Sequence, residues 1–320
     1  MDEFELIRRY FAPLSGAHED VVLGIGDDCA LLAPPAGHEL AVTSDTLIAG
    51  RHFPEESLPF DIGWKSLAVN LSDLAAMGAR ARWFTLALAL PEADERWLAG
   101  FADGLKALAD EAEVSLVGGD TTRGPLTITI TALGVVPAGC ALRRSGARVG
   151  DRVCVSGTLG DAALALERWR AGDRDRSDDA LDLRARLDRP TPRLALGEAL
   201  RGLAHAAIDL SDGLAADLSH LLRASGVGAH IYGARLPSSA AFDRLAPAAE
   251  RTRLQLAGGD DYELCLCIPA ARLSEVRRLA QQIGVALTDI GEIQAGSGLS
   301  VLGAQCEPLA FTELGYRHFQ

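Results

Sequence analysis

Short apolar runs alternate with helical apolar patterns along most of the chain, and this alternation restricts the fold more than any other feature of the sequence. It predicts strands at residues 21–25, 40–43, 83–90, 114–117 and 126–136, with helices at 62–77 and 95–112 between them. Gly78 closes the first of these helices as a C-cap. Asp2-x-x-Glu5 reads as a capping-box-like start to a short amphipathic helix at the N-terminus. Residues 137–151, PAGCALRRSGARVGD, concentrate Pro, Gly and charge after a long strand and mark a domain boundary. The alternation then resumes, with strands at 152–155, 206–210, 263–268 and 286–293 and helices at 161–170, 194–204, 213–224 and 274–283. Residues 168–190 mix both charges densely and read as a solvated surface helix with its loops. The expected architecture is an α/β (α+β) chain of two domains, residues 1–137 and 138–320.

With 48% hydrophobic and 23% charged residues the chain can bury a substantial core. The formal net charge of -13 argues against a nucleic-acid partner. Only Lys65 and Lys106 are lysines, and neither follows a glycine, so no P-loop is present. The acidic start differs from a signal peptide, and no apolar run reaches the roughly 18 residues that span a bilayer. A soluble, cytoplasmic protein without membrane association is expected. Cys29, Cys140, Cys154, Cys265, Cys267 and Cys306 form no C-x-x-C pair and are read as buried free thiols.

Acids recur in one context, a short apolar run followed by small residues and then aspartate. The instances are Gly26-Asp27-Asp28, Thr43-Ser44-Asp45, Gly118-Gly119-Asp120-Thr121-Thr122, Asp209-Leu210-Ser211-Asp212-Gly213 and Gly258-Gly259-Asp260-Asp261. Each alone is most simply a turn, in which Asp accepts backbone N–H bonds and Gly supplies positive φ. Five together predict loops that converge at the carboxyl ends of strands. Asp73 adds a charge inside the helical stretch LAVNLSDLAAMGA, and Asn70 shares its face three residues earlier. Gathered carboxylates need compensation, and Mg²⁺ takes a few of them together with hydroxyls, water and phosphate oxygens. Thr43, Ser44 and Ser211 add small oxygen ligands, and the glycine pair before Asp120 lets backbone N–H groups approach anionic oxygens. The combination suggests metal-bridged phosphate handling.

Other chemistries fail on specific residues. No His or Cys cluster supports zinc, and the isolated His18, His38, His205, His220 and His230 read as surface or structural residues. G-x-S-x-G is absent. Gly24-x-Gly26-x-x-Cys29 lacks the third glycine of a dinucleotide fingerprint, and Asp27 and Asp28 would oppose a pyrophosphate there. H-R-D and D-F-G are missing, which excludes a eukaryotic-type protein kinase.

GIGDDCALL, TSDTLIAGRHF, NLSDLAAMGA, VGGDTTRGPL, RRSGARVGD, IDLSDGLAADL, GGDDYEL and the closing GYRHF together resemble the thiamine-monophosphate kinase family, in the aminoimidazole-ribonucleotide synthetase (PurM-like) superfamily. The resemblance runs from the first helix to residue 319. It implies a homodimer in which PurM-like N-terminal sheets pair into a β-barrel, each followed by a C-terminal α/β domain. It also implies transfer of the γ-phosphoryl of ATP to thiamine monophosphate, assisted by several Mg²⁺ ions, as the last step of thiamine diphosphate biosynthesis. By position, Asp28, Thr43, Ser44, Asp45, Asp73, Asp120 and Asp209 match metal-binding residues, with Asp212 a looser match. Gly119, Asp120, Arg144 and Ser211 match nucleotide contacts, and His52, Asp260 and Tyr316 match positions that face thiamine phosphate. Asp260 stands where the family often has glutamate, and Tyr316 where it often has tryptophan. Two further readings stay open: another ATP-dependent synthetase of the superfamily, and a noncatalytic divalent-ion or nucleotide-binding protein.

Overall fold

The structure is a computed structural model that describes residues 3–15, 19–303, 307–309 and 315. The chain divides into two compact units, Met1–Leu74 with Ala79–Cys140, and Ala75–Gly78 with Ala141–Gln320.

In the first unit, α1 (Glu3–Leu6) continues through a π turn (Ile7–Phe11) and a 3-10 turn (Ala12–Leu14) that bury Tyr10, Phe11 and Leu14. A small antiparallel pair follows, β1 (Val21–Leu23) and β2 (Leu31–Leu32). The main sheet has four strands, β3 (His38–Ile48), β4 (Arg80–Leu90), β5 (Ser115–Arg123) and β6 (Thr127–Pro137), in the order β3-β6-β4-β5. Only the β4 and β5 pair is parallel. Helices α2 (Pro59–Ala76) and α3 (Glu95–Glu111) connect these strands. A Cβ on Gly104 of α3 would lie 1.9 Å from the Phe60 carbonyl oxygen of α2, so the two backbones approach where no side chain fits.

The register assigns the two faces of this sheet. Phe84, Leu86 and Leu88 lie opposite Ala132, Ile130 and Ile128, and all six are buried. On the other face Ser44 meets Thr131 at 2.9 Å and Thr46 meets Thr129 at 2.8 Å through their hydroxyls. The same face leaves Leu40, Val42 and Ile48 exposed, Val42 at 60%.

The second unit is built on six strands, β7 (Arg152–Ser156), β8 (Ala206–Asp209), β9 (Gly228–Tyr232), β10 (Leu264–Ile268), β11 (Leu287–Gln294) and β12 (Gly298–Leu302), in the order β12-β9-β11-β7-β10-β8. Only β12 and β9 run parallel. Its helices are α4 (Asp161–Arg170), α5 (Asp178–Asp188), α6 (Leu194–Ala199), α7 (Leu214–Ser225), α8 (Ala240–Leu245), α9 (Arg251–Ala257) and α10 (Leu273–Ile283). Leu214, Leu218, Leu221 and Leu222 of α7 pack with Val153, Val155, Ile208, Cys265 and Cys267. Leu196 of α6 and Val276 and Ala280 of α10 pack with the opposite-facing Cys154, Ala207, Leu266 and Ile268. The sheet is thus covered on both faces. α4, α5, α8 and α9 form a satellite core around Phe242.

Three expectations change. Strands expected at 40–43 and 114–117 extend to His38–Ile48 and Ser115–Arg123, so Thr43-Ser44-Asp45 and Gly118–Thr122 lie within strands and not in loops. Weak local β propensity is overridden there by pairing along the length of β6 and β4. Residues 168–190 are not uniformly solvated, because Leu183, Leu187 and Asp188 of α5 are buried. Cys154, Cys265 and Cys267 are buried, and burial pushes the Cys154 thiol up to about 12, but Cys29 and Cys140 are exposed. Asp2, Cys306 and Tyr316 lie outside the described residues.

Candidate functional site

In the first unit β3 and α2 bring three of the expected residues together. Strand alternation turns Thr43 and Asp45 to the α2 side. There the Thr43 hydroxyl donates to Asp73 Oδ2. Asn70, fully buried one helical turn before Asp73, accepts the Asp45 N–H at 3.1 Å and donates through Nδ2 to the Ser66 carbonyl at 3.1 Å. Burial first, and the Asp73 charge second, push the Asp45 carboxyl up from 3.8 to about 6. Ser44, the intervening residue, points its hydroxyl to the opposite face, towards Thr131.

Among the described residues, Asp28 and Asp120 do not join Asp45 and Asp73 in a group of three that could hold an ion. Asp28 is exposed on its loop, where Asp27 Oδ1 accepts the Asp28 N–H at 2.8 Å, a turn-forming part for Asp27. His52 Nδ1 accepts the Ile48 N–H at 3.0 Å, which fixes the neutral imidazole with its proton on Nε2. Asp120 sits exposed on the edge strand β5, in register with Ala87 on the open face. Gly119 before it is irreplaceable, since a Cβ would meet the Leu86 carbonyl oxygen at 1.9 Å.

In the second unit the two acidic loops are zipped together. Asp209 ends β8 almost fully buried, and Ser211 and Asp212 follow. The Ser211 carbonyl accepts the Asp260 N–H at 2.9 Å, and the Leu210 carbonyl accepts the Tyr262 N–H at 2.8 Å. Asp260 and Tyr262 adopt left-handed φ of 67° and 49°, and the Tyr262 hydroxyl reaches Asp260 Oδ1 at 3.1 Å.

Sequence reasoning missed what holds these loops. Asp217 of α7 accepts the N–H groups of Ser211 and Asp212, both at 3.0 Å, and burial pushes its carboxyl up to about 7. Its signal was the one used for Asp73, an acid in an Ala/Leu-rich helix. Asp261 Oδ1 accepts the Gly160 N–H at 2.9 Å, and complete burial pushes its carboxyl well above the usual carboxylate range, with the Arg186 charge and that hydrogen bond opposing the shift. Glu263, fully buried, takes Arg186 at 2.6 Å, Arg193 at 2.5 and 2.7 Å, and the Ser156 hydroxyl at 2.5 Å. Arg186 lies in the segment read as solvated.

Arg144 belongs to the loop before β7. It is exposed and makes no side-chain hydrogen bond or ion pair among the described residues, as is true of Arg143 and Arg148. Three unpaired guanidiniums on one loop suit an anion.

Thr43, Asp45 and Asp73, like Asp209, Ser211 and Asp212, offer oxygen donors only. Two carboxylates close enough for one to raise the other are what a hard divalent cation relieves, so the donors fit Mg²⁺. Among the described residues no three His, Cys, Asp or Glu side chains converge tightly enough to hold an ion. Hydroxyls, water and phosphate oxygens would complete the coordination, as Mg²⁺ prefers. No helix among the described residues is long and apolar enough to cross a membrane.

Residues 26–136 match the family described as AIR synthase related protein, N-terminal domain, and residues 148–303 match its C-terminal domain. The thiamine-monophosphate kinase of Salmonella typhimurium is 48% identical over 322 residues, covering 99% of this chain and 98% of that protein. The crystal structure of thiamine-monophosphate kinase from Stenotrophomonas maltophilia K279a superposes with a TM-score of 0.89 at 51% identity, covering 94% of this chain and 96% of that one. AaThiL complexed with AMPPCP and TMP superposes with a TM-score of 0.79 at 30% identity, covering 99% and 97%. The chain belongs to the thiamine-monophosphate kinase family, assembled from the N- and C-terminal domains of the AIR synthase related proteins.

Proposed function

We propose that this chain transfers the γ-phosphoryl group of ATP to the phosphate of thiamine monophosphate, forming thiamine diphosphate in the cytoplasm. The observation that carries the reading is the apposed Asp45 and Asp73 carboxylates with the Thr43 hydroxyl, an oxygen-only set in which the Asp45 carboxyl is pushed up to about 6. The AMPPCP and TMP held by AaThiL, an ATP analogue and thiamine monophosphate, support the two substrates.

Mg²⁺, when bound, neutralises phosphate charge and favours in-line displacement. Asp45, Asp73 and Thr43 are its first candidates, with Asp28, Asp120, Asp209 and Asp212 as further carboxylates. The accepting phosphate has a second pKa of about 6 and is already ionised, so no general base is needed. Arg144 takes nucleotide phosphate, with Gly119 and Ser211 beside the nucleotide. His52 and Asp260 face thiamine monophosphate, His52 as an Nε2–H donor. Tyr316 is assigned to the substrate through the family resemblance alone.

Residues 1–137 form the ATP- and Mg-binding, dimer-forming domain in this reading, and 138–320 the second α/β domain. The open face of the four-stranded sheet, with Val42, Leu40 and Ile48 exposed beside its hydroxyl ladder, supports pairing with a second copy into a barrel.

ADP and thiamine diphosphate are measured with and without thiamine monophosphate in the presence of Mg²⁺. Thiamine diphosphate formation is expected. ADP formation without it would point to another synthetase, and metal binding without turnover to a binding protein.

A further inference from the structure

Helix α7 touches both the Ser211–Asp212 loop and the Arg144 loop of its unit, one at each end. In its first turn the almost fully buried Asp217 carboxylate takes the N–H groups of Ser211 and Asp212, both at 3.0 Å. At its last residue the Ser225 hydroxyl donates to the Arg144 carbonyl at 3.0 Å and accepts the N–H groups of Gly146 and Ala147 at 3.1 and 3.2 Å. One donor and two acceptor sites exhaust a hydroxyl, so Ser225 is wholly engaged in holding the Arg144 loop. That loop is tied at further points: the Arg143 carbonyl accepts the Ala207 N–H at 2.9 Å, and Asp151 accepts the Arg148 N–H at 2.8 Å. The backbone is pinned while the Arg144 guanidinium has no hydrogen-bond or ion-pair partner among the described residues.

We propose that Ser225 and Asp217 are positioning residues for phosphoryl transfer, through which α7 holds the Arg144 loop and the Ser211–Asp212 loop at a set separation. Eight residues of α-helix place the two anchors about 12 Å apart along a rigid axis. Both loops take their position from one element, so a metal-bearing polyphosphate meets its arginine and its acids without ordering either loop first. Preorganisation of this kind enters affinity by sparing the cost of immobilisation. Ser225 touches only the backbone of the loop, so its effect falls on the anion that Arg144 meets. The identity of that anion, Mg·ATP, rests on the kinase reading.

The test compares wild type with Ser225→Ala, Ser225→Thr, Asp217→Ala and Asp217→Asn in the full chain, reading affinity for a non-hydrolysable Mg·ATP analogue, KM for each substrate, Mg²⁺ dependence and melting temperature. Ser225→Ala is expected to weaken the analogue and raise KM for ATP about three- to tenfold. KM for thiamine monophosphate and melting temperature stay unchanged, and Ser225→Thr, which keeps the hydroxyl, restores affinity. Asp217→Ala raises the Mg²⁺ needed for half-maximal activity, whereas Asp217→Asn, which keeps an acceptor oxygen, holds near wild type. Unchanged analogue affinity in Ser225→Ala, or equal losses for both substrates, would overturn the role of Ser225. If Asp217→Ala fails to fold, Asp217→Asn decides, since a large rise in Mg²⁺ requirement there would make the charge itself the active feature. A wild-type chain that binds the analogue but makes no thiamine diphosphate sinks the kinase reading while the affinity comparison still judges the clamp. A wild-type chain that binds no analogue overturns both.

Discussion

The hydroxyl of Thr43, midway along β3, donates to the carboxylate of Asp73, in the last turn of α2. It orients Asp73 beside Asp45, whose own backbone is held by Asn70. Thr43→Val therefore takes the orienting hydroxyl away from the Asp73 carboxylate without removing an acid. Losing such an orienting partner typically costs about 10- to 100-fold in metal affinity or activity. Thr43→Val is expected to fall in that range for Mg²⁺-dependent turnover, with Asp73→Asn and Asp45→Asn lower still. Full activity in Thr43→Val with unchanged Mg²⁺ dependence would refute this.

The Asp45 carboxyl carries a signed pH dependence. It holds its proton up to about 6 when folded and releases it near 3.8 when unfolded. Between those values the folded chain binds more protons, so this contribution to stability is complete below the unfolded value and lost as pH rises through the folded one. Metal-free Asp45→Asn is expected to be more stable than wild type at neutral pH and to lose that advantage below the unfolded value. Melting curves across pH read this directly, and an advantage that grows on acidification would reverse the assignment. Mg²⁺ competes with the same proton, so its half-saturating concentration should rise as pH falls through about 6.

Glu263 and Asp261 are near neighbours with opposite expectations. Glu263 compensates Arg186 and Arg193 in a buried setting, and removing one partner of such a group costs about 3–5 kcal/mol. Glu263→Ala should approach that loss in urea denaturation. Burial favours the neutral form of Asp261, and its Oδ1 accepts the Gly160 N–H, so Asp261→Asn keeps the accepting atom and should change stability by no more than about 1 kcal/mol. Equal losses for the two variants would contradict this division.

The open face of the four-stranded sheet predicts self-association. Val42→Asp places a charge at the centre of the exposed apolar strip of β3 without touching the inner face. Sedimentation velocity is expected to find a dimer for wild type and a monomer for Val42→Asp. A dimeric Val42→Asp would move the interface elsewhere.

Much of the fold was legible because periodicity survives local noise. The strand expected at 83–90 lies within Arg80–Leu90, and the helix expected at 95–112 is Glu95–Glu111, with Asp94 as its N-cap. Ser, Asp and Gly lower local β propensity within β3 and β5, so the sequence signals only part of each strand, and only partner strands show that the ladder continues through them. The charge pattern of the Arg186 segment points to solvent because alternating charges look alike whether they face water or a buried Glu263.

The sequence by itself determined the two-part α/β order and the inventory of acids, glycines and Arg144, since hydrophobic period and residue chemistry are properties of the chain. Tertiary structure alone decided that Thr43 and Ser44, adjacent in sequence, face opposite sides of one strand. It also decided that Asp217 and Ser225 tie two loops to one helix. Both outcomes depend on which distant backbone groups come within hydrogen-bonding distance. Pairing register and packing set that, and no local run of residues encodes it.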